Sequence, residues 1–370
     1  MRGGTSKGVF LRPEDLPSDA SARDRILLRI IGSPDPYGKQ IDGMGAATSS
    51  TSKVVLVSKS SRPDCDVDYL FGQVRIDAPV IDWSGNCGNL TTAVGPFAIS
   101  EGLVGALRDG VAVVRIWQAN IGKRIVAHVP VRGGQVVEEG DFELDGVTFP
   151  AAEVKLEFMD PGAEGAMFPT GSVVDFLEIK ELGRVEATLI NAGNPTIFVA
   201  ASSLGLKGTE MQDDINGNAA LLERAEALRA QGAVAMGLAA SAEEATAKRR
   251  HTPKLAFIAP PASYTSSSGK KIDASSIDML ARILSMGVLH HAMTGTGGVA
   301  IAVAGAIPGT LVHRTAHPRT EGRIRFGHPS GTLSVGAEAH AEGGQWVVSK
   351  ALMSRSARRL MEGWVRVPNV

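Results

Sequence analysis

Twice along this chain a glycine-rich polar turn runs straight into a helix of small apolar residues. The first instance is Gly-Asn-Cys-Gly-Asn-Leu-Thr-Thr-Ala-Val (85–94), and the second is Met-Thr-Gly-Thr-Gly-Gly-Val-Ala-Ile-Ala (293–302). They end alike, near Gly-Leu-Val (102–104) and Gly-Thr-Leu-Val (309–312). A second pair of stretches precedes them. Arg-Gly-Gly-Thr-Ser-Lys-Gly-Val-Phe-Leu (2–11) and Asn-Ala-Gly-Asn-Pro-Thr-Ile-Phe-Val (191–199) are both polar glycine turns that feed an apolar strand. The same parts in the same order imply a duplicated domain. The boundary is expected near residue 185, giving halves 1–185 and 186–370. In the first helix Leu90, Ala93, Val94, Phe97, Ala98 and Ile99 recur with helical spacing. Small residues between them widen the apolar surface, so the helix is expected to be wrapped on most sides.

What wraps it must be strand-rich. Hydrophobic residues make up 44% of the chain but aromatics only 5%, so the core falls to Val, Ile, Leu and Ala, with 43 glycines marking turns. Basic and acidic residues nearly balance, 38 against 39. That argues against a nucleic-acid or anionic-membrane surface. Two cysteines, Cys65 and Cys87, form no disulfide framework, and the expected compartment is cytoplasmic. No apolar run is long enough to span a bilayer, and no signal-peptide pattern opens the chain. The most apolar segment, 292–309, reads as a buried helix.

The remaining segments follow from local pattern. Helices are expected over 21–31 (Ser21 capping, Gly32 stopping), 218–232, 242–250, 275–289 and 354–361. Strands are expected over 54–57, 67–81 in two pieces, 146–150, 154–158, 185–190, 254–259, 333–338 and 345–350. Segments 111–116 and 125–131 read as a hairpin. Residues 162–171 read as a long loop, and 263–271 as a polar one. Cys65, in Arg-Pro-Asp-Cys-Asp-Val-Asp, reads as an incidental surface thiol disfavoured as a thiolate by its carboxylate neighbours. His290 and His291 lack a further partner at metal-ligand spacing, so no metal site is expected.

Two residues carry a chemical reading. Cys87 stands at a helix N-terminus, a setting that favours a thiolate and also holds carboxylates. The alternative for a lone cysteine is a buried structural role. Lys53 ends the hydroxyl run Thr-Ser-Ser-Thr-Ser (48–52), where a polar loop meets the buried strand Val-Val-Leu-Val. Desolvation there would bring its amine toward neutrality and make it a usable base. The hydroxyls offer many donors without charge, suited to orienting carboxylate oxygens. Arg2, Thr5, Ser6 and Lys7 in the opening turn could likewise take an anion, or simply form a polar turn.

Together these motifs resemble the PrpF family. The resemblance rests on Arg-Gly-Gly-Thr-Ser-Lys-Gly (2–8), Lys-Gln-Ile-Asp-Gly (39–43), Thr-Ser-Lys-Val-Val (51–55), Asn-Cys-Gly-Asn (86–89), Asn-Pro-Thr-Ile-Phe-Val (194–199) and Arg-Phe-Gly-His-Pro-Ser-Gly (325–331), and it covers the whole chain. It implies an α+β, diaminopimelate-epimerase-like fold: two pseudo-symmetric domains, each a β-barrel-like sheet around a central helix. It implies a cofactor-independent 2-methylaconitate cis–trans isomerase of the methylcitrate route for propionate. By motif match the catalytic pair is Lys53 and Cys87. Diaminopimelate epimerases use two cysteines, and the second position here is Thr294, whose hydroxyl is too weak an acid to replace a thiol.

The substrate implied is a small unsaturated tricarboxylate. Arg2, Ser6, Ser49, Ser50, Thr51 and Ser52 are expected to orient it in the first half, with Asn86, Gly88 and Asn89 at the helix start. Asn191, Asn194, Thr294, Gly295 and Ser330 are their expected counterparts in the second. The partners implied are an aconitase-like 2-methylcitrate dehydratase, linked functionally, and a second copy in a homodimer. Aconitate Δ-isomerases and 4-oxalomesaconate tautomerases are similar and share the Lys/Cys pair. The stretches 37–43 and 82–90 look closer to the methylaconitate group. A catalytically idle tricarboxylate binder is the alternative of another class. Relatives carry residues ahead of Arg-Gly-Gly where this sequence has Met1, so either a shortened first strand or a misassigned start is expected.

Overall fold

The computed structural model describes residues 1–105, 108–161, 166–316, 322–343 and 345–368. The chain forms two compact units, Met1–Leu156 with Ser354–Val370, and Glu157–Met353.

In the first unit the sequence motif at 85–94 becomes the helix Gly88–Ser100, buried from Gly88 to Ile99. A helix without a polar face needs apolar cover all round. Strands Lys53–Lys59, Gly110–Gln118 and Lys123–Arg132 and the opening turn supply it. Small residues let them come close: a Cβ on Gly95 would stand 2.9 Å from Val129 Cγ2, and one on Gly3 would stand 2.6 Å from the Asn89 carbonyl oxygen. The strand order is written in the pairings. Val9–Leu11 runs parallel to Lys53–Lys59, which is antiparallel to Val67–Val74. Val67–Val74 then runs parallel to Gly110–Gln118, the first arm of a hairpin with Lys123–Arg132.

The second unit repeats this order. Asn194–Ala200 is parallel to Lys254–Ala259, which is antiparallel to Met279–Ser285. Met279–Ser285 is parallel to Arg323–His328, which pairs antiparallel with Gly331–Glu342. The central helix is Gly295–Ala306, buried over its first ten residues. What the second unit adds is a helical layer, Gln212–Asn216, Ala219–Ala235 and Ala242–Lys248. Leu221, Ala225 and Leu228 on its long helix join one core with Ile197, Val199 and Leu255 of the sheet.

Several expectations need correction. Residues 275–289 form the strand Met279–Ser285 with a short Val288–Leu289, not a helix. Every residue of Met279–Ser285 is buried, so the two-residue alternation that marks a half-buried strand is missing. Residues 354–358 of the expected helix 354–361 continue the strand Gln345–Arg358, because Ala357 and Arg358 pair with Gly3 and Arg2, and 359–361 are irregular. Residues 146–150 are irregular, flanked by a single Phe142–Ala151 bridge. The first helix starts at Ala20 with Asp19, not Ser21, as its cap. Cys65 is buried, and burial followed by Asp64 pushes its thiol pKa up. Part of the 162–171 loop lies outside the described residues.

The units also divide the chain differently from halves at 185 and 186. Asp175–Ile179 pairs with Gly183–Ala192, which draws the stretch before 185 into the second unit. The end of the last strand belongs with the first unit through its pairing to Arg2–Gly3.

Candidate active site

Lys53 opens its strand with the side chain enclosed, 4% exposed. Its Nζ donates to Gln73 Oε1 at 2.5 Å, and Gln73 Nε2 donates to the Ser52 carbonyl at 3.0 Å. Gln73 is the cross-strand partner of Lys53, so the sheet register itself brings the amide to the amine. The Phe71 ring lies 4.9 Å from Nζ. Burial lowers the Lys53 pKa, and the nearby Cys87 offsets part of that effect. The amine is thus pushed toward the neutral form a base requires.

Cys87 is the N-cap of the first central helix and is 7% exposed. Its sulfur makes no capping bond, whereas its carbonyl is heavily used. That oxygen accepts from Thr91 N at 2.9 Å, Thr91 Oγ1 at 3.0 Å and Tyr69 Oη at 3.3 Å. Burial, then Cys87, raises the Tyr69 pKa well above its ordinary value, which keeps it a donor. The backbone is therefore fixed while the thiol is not committed to the helix. First-turn N–H groups of such a helix have no partners within it and favour an anion.

The opening turn packs on this helix start. Gly4 takes φ +50, and a Cβ there would meet Asn89 Oδ1. Asn89 Nδ2 donates to Thr5 Oγ1 at 3.0 Å. Ser6 is buried beside it, while Arg2 Nη1 is engaged by the Gly4 carbonyl and by Ser356 O and Oγ. Asn86 is buried, with its Oδ1 accepting from Thr91 Oγ1 at 3.4 Å.

The hydroxyl run is held from below. Ser52 Oγ donates to Gln40 Oε1 at 2.8 Å, and Gln40 Nε2 donates to Ser33 Oγ at 2.8 Å. Thr48 Oγ1 lies 3.2 Å from Ser50 Oγ and 2.8 Å from Thr51 Oγ1. Ser49 is half-buried. Sequence reasoning does not single out Gln40, Tyr69 or Gln73, which hold Ser52, Cys87 and Lys53. The signal for Gln73 is an amide inside a mostly buried strand, at the register of Lys53.

The remaining expected residues belong to the second unit. Thr294 caps the helix Gly295–Ala306, its Oγ1 accepting from Gly297 N at 3.0 Å. Asn191 and Asn194 flank Gly193, where a Cβ would stand 3.1 Å from the Thr296 carbonyl oxygen. Asn191 Oδ1 is buried without a partner among the described residues. Ser330 Oγ donates to the His291 carbonyl at 2.5 Å. One lysine matches Lys53 in register: Lys254 opens the strand parallel to Asn194–Ala200. Its Nζ lies 3.1 Å from His251 Nδ1 and donates to Ser285 Oγ at 3.0 Å. Among the described residues no group of three His, Cys, Asp or Glu side chains is placed to hold a metal, and no helix is long and apolar enough to cross a membrane.

The family described as PrpF protein matches residues 1–368. The 2-methyl-aconitate isomerase of Cupriavidus necator is 65% identical across 100% of this chain and 96% of its own length. That of Shewanella oneidensis is 64% identical over the same shares. Among solved structures, a methylitaconate-delta-isomerase is 41% identical with a TM-score of 0.78, covering 98% of this chain and 93% of its own. A hydroxyproline epimerase from Agrobacterium vitis, 14% identical, shares the fold at a TM-score of 0.51 over 91% of this chain and 79% of its own.

Proposed function

The chain belongs to the PrpF family, and from that premise we propose that it is a cofactor-independent isomerase converting 2-methyl-trans-aconitate to 2-methyl-cis-aconitate. The observation that carries the chemistry is the enclosed Lys53 amine, its pKa lowered by burial, on a strand that packs against the buried helix that Cys87 caps.

The substrate has a CH₂ flanked by a carboxylate and a double bond. Lys53 Nζ takes one of its protons as the C–H bond breaks. The electron pair spreads over the double bond and carboxylate as a dienolate, and the former double bond becomes free to rotate. Cys87 returns a proton to the same carbon and fixes the other geometry. The ammonium and thiolate left behind exchange one proton and restore the pair. Helix-start N–H groups and the hydroxyls of 49–52 hold charge on the carboxylates as it develops. The relatives named 2-methyl-aconitate isomerase, at 65% and 64% identity, support this substrate over others of the class. The same reading links the protein to an aconitase-like 2-methylcitrate dehydratase, in the cytoplasm, as a homodimer.

Proton NMR in D₂O with 2-methyl-trans-aconitate tests it, with Lys53→Ala and Cys87→Ser alongside. Geometric conversion with deuterium entering the methylene, lost in both variants, is expected. Movement of the double bond in aconitate or 4-oxalomesaconate alone would reassign the chain to a Δ-isomerase or tautomerase. Binding without exchange would make it a tricarboxylate binder.

A further inference from the structure

Arg355 lies on the last strand, Gln345–Arg358, and is 2% exposed. No carboxylate among the described residues pairs with it. Its Nε donates to Asn89 Oδ1 at 3.2 Å, and its Nη1 reaches the carbonyl of its own neighbour Ser354 only at 3.5 Å. Other buried arginines in this protein are better satisfied. Arg229 pairs with Glu226 and donates to the carbonyls of Ala245 and Arg249, both at 3.1 Å. Arg282 leaves Nη2 without a partner but donates to three carbonyls, of Glu210, Ala281 and Gly327, and lies over the Tyr264 ring. Arg355 has neither an acidic partner nor more than one backbone carbonyl acceptor among the described residues.

A guanidinium taken out of water without a counter-charge is costly. Burial lowers the Arg355 pKa to about 10, with no carboxylate offsetting it. Its position is equally specific. Asn89 is two residues past Cys87 on the central helix. Gly4 of the opening turn has no side chain where a Cβ would stand 3.2 Å from Arg355 Cδ. The cation therefore sits at the helix start that carries the thiol, as enclosed as Lys53 and Cys87 themselves.

We infer that Arg355 is a carboxylate receptor of the active site: its guanidinium fork takes one carboxylate of the unsaturated tricarboxylate, with Asn89 fixing the plane of the fork. A planar fork matches a carboxylate with two parallel hydrogen bonds, which a lysine would not supply. This rests on the proposed function for the identity of the ligand, and the test separates the two by reading binding rather than turnover.

Calorimetry would compare trans-aconitate with glutaconate, mesaconate and itaconate, each lacking a different one of its three carboxylates. Arg355→Met is expected to weaken trans-aconitate about 10- to 100-fold, the worth of a charge-assisted pair. One of the three dicarboxylates, the one missing the carboxylate that Arg355 holds, is expected to bind the wild type and the variant alike. Arg355→Lys keeps the charge without the fork, is expected to fall between the two, and decides the matter should the Met variant not fold. Equal weakening of all four ligands, or of none, would overturn the inference and leave Arg355 a structural residue. Failure of the wild type to bind any tricarboxylate would instead overturn the functional reading beneath it.

Discussion

Gln73→Met isolates what the sheet does for the Lys53 amine. Gln73 is fully buried, and its side chain does two things: it accepts from Lys53 Nζ and donates to Ser52 O. Met has a similar volume, so no cavity accompanies the change. Nζ is left without its acceptor, at about 1–3 kcal/mol, and more for a charged group. Ser52 O fares better because Val74 N still donates to it at 3.0 Å, so that loss is about 0.5–1.5 kcal/mol. Together the loss is about 3 kcal/mol, or roughly 6–12 °C in melting temperature for a unit of this size. The hydrogen bond to Gln73 also favours the ammonium, so its loss disfavours that form further, and the acid limb of kcat/KM is expected to move to lower pH. Calorimetric melting and a pH–rate profile would be recorded side by side. A variant as stable as the wild type with an unmoved acid limb would refute the claim that Gln73 sets the state of Lys53.

Three further outcomes concern Lys53 and the two helix starts. Burial makes the folded-state pKa of Lys53 lower than its unfolded value, so between the two the unfolded chain binds more protons and stability rises with pH. Denaturant unfolding across alkaline pH up to 10.5 is expected to show that rise in the wild type and not in Lys53→Met; kcat/KM of the wild type is expected to rise with pH as the amine deprotonates. Thr294→Ala removes the cap at Gly297 N and is expected to cost about 1 kcal/mol in unfolding experiments, while Cys87→Ala, whose sulfur makes no capping bond, loses no such term.

The parts of the fold that local pattern dictates were legible in the sequence. The turn-and-helix repeat, the 110–132 hairpin and the placement of Lys53 at a loop–strand junction all stand as expected, because each depends on neighbours in sequence. Met279–Ser285 was not legible. A strand buried on both faces shows no alternation, and its Met-Leu-Ala-Arg-Ile-Leu run suits a helix equally well. The last strand was missed for a different reason. Its fate is decided by pairing with Arg2 and Gly3, some 350 residues away, and nothing local records that partnership. Arg355 was lost with it. Gln73 had a visible signal, an amide in a mostly buried strand, whereas Gln40 lies between exposed Lys39 and Ile41 and had none; their partners come from register and loop closure.

Lys254 stands in its unit where Lys53 stands in the other, on a strand with the same neighbours in the same sense. It donates to Ser285 where Lys53 donates to Gln73, and the central helix of its unit is capped by Thr294 where the first is capped by Cys87. The backbone that would present the proposed Lys53/Cys87 pair is thus built twice, and a lysine with a cysteine at the helix start occurs in one unit. A scaffold of this kind lets proton chemistry be gained, lost or moved between halves by exchanging single side chains, with the framework already folded to receive them.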